Sequence, residues 1–161
     1  MRRFVSLMLC GVLLFSCCAF QTSAVNDEDI IPYVVDFSLT PPTCDSTETN
    51  GVRASGLITS YKLGLSVTGT TLYIRAETYC IPEVVRSGFK NFVVERRKSS
   101  SSSWSEYYDY GDLYNDTYGA VLSTTLVVQS GYQYRITCKH YAKKSLLVTQ
   151  SVSNTSNVVL V

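Results

Sequence analysis

Cys138 and His140 stand two residues apart in a stretch that alternates like a strand, which puts both side chains on one face. Thiolate and imidazole at that spacing occur in some metal sites. Zinc asks for four ligands, however, and the chain has no second histidine and no Cys-x-x-Cys. Neither a metal nor a cofactor is expected. His140 also lacks the setting of a nucleophilic triad, since no G-x-S-x-G turn exists and Lys139 and Tyr141 flank it. Asp109 and Asp112 are the residue type of general acid–base work, but they fall in a Tyr- and Gly-rich bend where Asp serves turns and solvation. No enzyme is expected, and a hydrolase is the least favoured function.

The remaining chemistry is aromatic. Trp104, Tyr107, Tyr108, Tyr110, Tyr114 and Tyr118 crowd into fifteen residues, with Asp109, Asp112 and Asp116 between them. Strand alternation cannot bury all six rings. Exposed rings beside carboxylates stack on sugars and accept hydroxyl hydrogen bonds, or form a protein-binding patch. On that reading Tyr107, Tyr114 and Tyr118 with Asp109 and Asp112 are the ligand-binding set, and Trp104 is more buried than Tyr108. The competing reading, which we favour, makes the segment an edge strand whose rings cover the flank of the domain. Arg96-Arg97-Lys98 read as a solvated hairpin tip, with an anionic polymer as the rival partner.

These residues need a scaffold, and the N-terminus says where it works. Met1-Arg2-Arg3 is a positive start, no charge follows until Asp27, and Phe4 to Phe20 is nearly all apolar. Thr22-Ser23-Ala24 then supplies small residues for cleavage after Ala24, so residues 1–24 read as a secretory signal peptide. The rivals are an uncleaved anchor helix or lipidation at Cys17, although bulky Phe15 fits a lipobox poorly. Cleavage removes Arg2 and Arg3, leaving twelve basic residues against 13 acidic ones and a formal net charge of −1. Nucleic acid is not an expected partner of such a chain. No later stretch is apolar enough for a membrane span.

Residues 25–51 form an extended arm with one short strand near Tyr33–Phe37, and 52–161 carry the domain. There the period is two. Leu63, Leu65 and Val67 turn at Thr68-Gly69-Thr70 into Leu72, Ile74, Ala76, Thr78 and Cys80, which share a core face. Further strands are expected over 89–97, 104–110, 120–128, 132–142, 146–152 and 158–161, with 111–119 as a bend. No ten-residue stretch has a helical period. About seven short strands make an all-β sandwich.

The hairpin Phe92-Val93-Val94-Glu95-Arg96 followed by a polar tip and Trp104 resembles the middle hairpin of fibronectin type III and immunoglobulin-like domains. Gly131-Tyr132-Gln133-Tyr134-Arg135-Ile136-Thr137 resembles their penultimate strand. The likeness spans roughly residues 52–161 and implies a tyrosine capping the corner between two sheets. Ile136 stands where an immunoglobulin domain has its tyrosine, so the sandwich carries over and the immunoglobulin name does not. With Trp104 and Lys139-His140-Tyr141-Ala142-Lys143 added, the pattern is also similar to a family of small secreted proteins of unknown function from Gram-positive bacteria. In such a sandwich the strands that carry Cys80 and Cys138 late in their course face each other and run the same way, which leaves two readings: a disulfide, or two buried thiols. Cys44, in the arm, reads as an exposed thiol or as a partner for Cys80 or for another chain. The expected protein is a secreted non-catalytic binding or adhesion module whose partner is a cell-surface glycan or protein. The alternative is a structural or interaction domain with no small ligand.

Overall fold

The computed structural model describes residues 32–41, 56–98, 100 and 102–161; residues 1–24, expected to be a signal peptide, and Cys44 lie outside them. Ten strands follow in order: β1 (Tyr33–Thr40), β2 (Ile58–Thr68), β3 (Thr71–Cys80), β4 (Arg86–Arg97), β5 (Ser105–Asp109), β6 (Leu113–Asn115), β7 (Gly119–Val127), β8 (Gln133–Lys143), β9 (Thr149–Thr155) and β10 (Val159–Leu160). Every pairing is antiparallel. One sheet runs β1-β7-β3-β2; the other is built on β4 and β8, with β5 and β6 beside β4 and with β10 and β9 beside β8. The two form an immunoglobulin-like β-sandwich.

Alternation decides which side chains fill it. Leu72, Ile74 and Ala76 from β3 and Leu122 and Leu126 from β7 meet Phe92 and Val94 from β4 and Tyr134, Ile136 and Cys138 from β8, all buried. The expected core face of β3 holds as far as Thr78 and Cys80. The corner tyrosine is Tyr134, whose buried hydroxyl donates to the Gln129 carbonyl at 2.8 Å. The strand expected in the N-terminal arm is β1, the edge partner of β7. The exposed edge of β2 is blunted by a side chain. Asn157 Oδ1 accepts from the Leu65 N–H at 3.2 Å and its Nδ2 donates to the Leu65 carbonyl at 2.8 Å, copying a strand's pairing.

Two expected boundaries are displaced. The bend at 111–119 contains β6, because Gly88 lets the Leu113 and Tyr114 backbone close on β4. The strand expected over Leu146–Val152 starts only at Thr149, since the register pairs Lys143 with Thr149 and leaves 144–148 as the connection. Asn91, at φ 49°, lies in an irregularity of β4 between Lys90 and Val93, a conformation that Asn tolerates better than most residues.

Cys80 and Cys138 are both buried and both free. Cys80 packs in a small cluster with Ile58, Val84 and Ala142, whereas Cys138 belongs to the main core. The reading of two buried thiols is the one the structure supports, and the bridge is not formed. Burial pushes each thiol pKa up to about 12, which keeps both protonated and unreactive. Unfolding the unreduced protein should therefore expose alkylatable thiols at both positions, read by peptide mass mapping. A Cys80–Cys138 disulfide peptide would contradict this.

Candidate functional site

The crowded rings are mostly spent on packing. Trp104 lies between two guanidinium groups, with the Arg97 and Arg135 carbons 4.4 and 4.3 Å from its ring centre. Tyr107 meets Tyr134 edge-on at 5.4 Å, and Arg96 stacks at 4.7 Å on both Tyr107 and Tyr132. Arg96 and Arg97 are thus half-buried ring partners and not a solvated tip, while Lys98 is exposed. An irregularity between Val94 and Glu95 breaks the alternation of β5, so that Tyr107 and Tyr108 both pack on the core. Tyr114 is half-buried and edge-on to Tyr141 at 5.4 Å. Tyr118, 42% exposed, is the most open of these rings.

The carboxylates of that set hold turns. Asp109 accepts from the Gly111 N–H at 2.7 Å. Asp112 accepts from the Asn91 N–H at 2.9 Å and from the Tyr114 hydroxyl at 2.6 Å. Those bonds, the tyrosine's first, hold the Asp112 carboxyl below its ordinary range. Asp112 and Tyr114 are brought together, whereas Tyr107 faces Tyr134 instead.

His140 is fully buried, and its proton can be placed. The Thr155 N–H donates to Asn154 Oδ1 at 2.8 Å, so Asn154 turns its Nδ2, a donor, toward His140 Nε2 at 3.3 Å. Nε2 must accept, which leaves the hydrogen on Nδ1 to be donated to Thr78 Oγ1 at 2.8 Å. Thr78 passes its own hydrogen to the Gly88 carbonyl at 3.3 Å. Burial drives the imidazole pKa down to about 4. Cys138 Sγ lies 4.0 Å from Nε2, but both groups are held neutral, the reverse of an activated thiolate–imidazolium pair. Among the described residues no three His, Cys, Asp or Glu side chains gather as metal ligands would.

An open concavity lies elsewhere, on the outer face of the first sheet. A groove of about 450 Å³ is lined by Ser66, Tyr73, Arg75, Ser123 and Thr125, with Gly64 beside them. Register explains the grouping: Ser66, Tyr73 and Thr125 form one cross-strand row, and Gly64, Arg75 and Ser123 form the next. Tyr73 is 46% exposed, and the Arg75 side chain is 64% exposed while bonding Glu77 at 2.7 Å. Thr125 Oγ1 is buried and unpartnered. Alternation alone puts Tyr73 and Arg75 on the non-core face of β3. What it does not show is the missing side chain at Gly64 or the hydroxyls of β7, because these arrive through pairing.

No protein-family model matches the chain, nor does any curated protein. Among solved structures, ACE19, the collagen binding subdomain of the Enterococcus faecalis surface protein ACE, aligns over 65% of this chain and 97% of its own at 8% identity, with a TM-score of 0.32. A family 123 glycoside hydrolase from Clostridium perfringens aligns over 61% of this chain and 23% of its own at 11% identity, with a TM-score of 0.27. At these scores neither likeness reaches beyond β architecture.

Proposed function

We propose that the protein is a secreted, non-catalytic binding module of the adhesion type, which holds an extended cell-surface glycan in the groove around Tyr73. The observation that carries this reading is the groove itself. It offers a half-exposed tyrosine face for a sugar ring, the Arg75 guanidinium, and the hydroxyls of Ser66 and Ser123. Secretion is supported by the charged start and apolar stretch of residues 1–24. The residues best suited to catalysis are committed to structure: His140 is neutral and enclosed, and Asp109 and Asp112 brace turns.

A glycan array probed with the secreted chain tests the proposal. Tyr73→Ala should weaken any retained glycan by about tenfold or more, as for a central aromatic contact. The melting temperature should hardly move, since the ring is half in solvent. Undiminished binding by Tyr73→Ala would overturn the groove as the site, and an array with no retained glycan would overturn the glycan.

A further inference from the structure

The β8–β9 connection contradicts its own turn chemistry. Ser145 accepts from the Val148 N–H at 3.4 Å and Lys144 donates to the Val148 carbonyl at 2.9 Å, which closes a tight turn with Leu146 and Leu147 at its centre. Such positions favour Asn, Asp, Gly or Pro. Here they carry two leucines that are 86% and 96% exposed, the most open large apolar side chains among the described residues. Val148 and Val85 continue the apolar surface at 45% and 54% exposure, and the Val85 N–H is tied to the Lys143 carbonyl at 2.9 Å. A local rule broken this openly, with nothing gained for the core, marks a surface built for contact.

Cations stand behind the apex. Lys143 and Lys144 lead directly into the turn, and Arg86 pairs with Lys143 across β4 and β8. The nearby acids are Asp116, which binds Arg86 at 2.5 Å, and Glu83 in the β3–β4 loop. Asp116 offsets the arginine most strongly and Lys143 to a lesser extent, so the two lysines still leave the collar net positive. Leu146 lies three residues beyond Lys143, a reach of up to about 10 Å along the chain. Interfacial segments bury their apolar side chains about 5–10 Å deep while cations remain at the phosphates.

From this arrangement we infer that the Leu146–Leu147 tip is a lipid-inserting wedge, which docks the sandwich end-on to the surface of an anionic phospholipid bilayer. The tip is convex, as insertion into a fluid interface requires, and its collar matches the sign of the headgroups. No helix among the described residues is long and apolar enough to cross a membrane. The inference stands apart from the glycan groove, which lies on the outer face of the first sheet.

Co-sedimentation of the secreted chain with phosphatidylcholine vesicles, with and without phosphatidylglycerol, provides the test. The protein should pellet with the anionic vesicles. Leu146→Ser/Leu147→Ser should weaken this by about 100-fold or more, given the apolar surface two leucines carry. Lys143→Gln/Lys144→Gln should weaken it about tenfold, a difference that high salt removes. Melting temperatures should be unchanged, because all four side chains project from a turn or its base. Tyr73→Ala should bind vesicles normally, so failure of the groove and failure of the tip read out separately. Protein that stays in the supernatant, or serine variants that pellet equally, would overturn the inference. So would a tip that crosslinks to a surface protein while ignoring vesicles.

Discussion

Replacing Gly88 by alanine should cost the fold about 3 to 5 kcal/mol, among the largest effects of any single methyl group in this domain. A Cβ at this position would lie 2.0 Å from the Leu113 carbonyl oxygen, 2.9 Å from Tyr114 Cα and 3.0 Å from the Leu113 carbonyl carbon. All three are main-chain atoms, so no side chain can swing aside. Gly88 also sits at φ 153°, where an L side chain is strained regardless of space. Relief requires β6 to leave β4, which breaks the Ser87–Asn115, Gly88–Tyr114 and Phe89–Leu113 pairs. It also separates Tyr114 from Tyr141. Chemical denaturation should show the loss as a lower midpoint, with a melting temperature down by roughly 10 °C or more. Gly64→Ala is the matched control, because the nearest atom to its new Cβ is the Arg75 carbonyl oxygen at an ordinary 3.8 Å. Equal stability of the two variants would show that β6 does not need the close approach at Gly88.

The second large effect needs no mutation. Burial lowers the His140 pKa from 6.5 to about 4, so between those values the unfolded chain binds a proton that the folded chain refuses. Stability from this group is complete above the ordinary pKa and is lost as pH falls toward the folded one. Across the window the loss approaches about 3 kcal/mol. The contacts explain why charging is so unfavourable. Both ring nitrogens are already engaged, with Nε2 needed as an acceptor from Asn154, and Tyr61 and Phe89 pack on the ring at 4.8 and 5.5 Å. Asp112 and Asp116, both held below the ordinary carboxylate range, lose their contributions only at lower pH. Denaturant titrations at several pH values should show the decline, and His140→Gln should flatten it. A flat wild-type profile, or an imidazole proton resonance titrating at its ordinary value, would refute the account.

The period of two is a local property, and what it could reveal in the chain it did reveal. Leu72, Ile74, Ala76, Thr78 and Cys80 line the core because alternation on a strand needs no knowledge of its neighbours. The same logic fails where a second strand intervenes. Tyr107 and Tyr108 both turn inward, since the β4–β5 irregularity shifts the register by a residue, and no feature of the Trp104–Tyr118 segment announces it. β6 is hidden for a similar reason: three residues pair only because Gly88, far upstream, leaves room for their backbone. The groove was half legible. Tyr73 and Arg75 could be placed on the outer face, but Gly64 and Thr125 join them through pairing with two different strands. Leu146 and Leu147 misled outright, since leucines beside Val148 read as a strand start, and only the Lys143–Thr149 register makes them a turn.

The placement of β1 sets an order on assembly. It is the first strand among the described residues, yet its partner in the sheet is β7, with Val34 opposite Leu126 and Thr40 opposite Val121. Closing that contact spans more than half of the sequence, whereas β2 and β3 meet across the tight turn at Gly69. The entropy of closing so long a loop must be met before the pairing returns anything. β1 therefore docks onto a sheet that is already built. A strand that emerges before its partner waits for it, and until it docks the β7 edge stays open to strands from other chains.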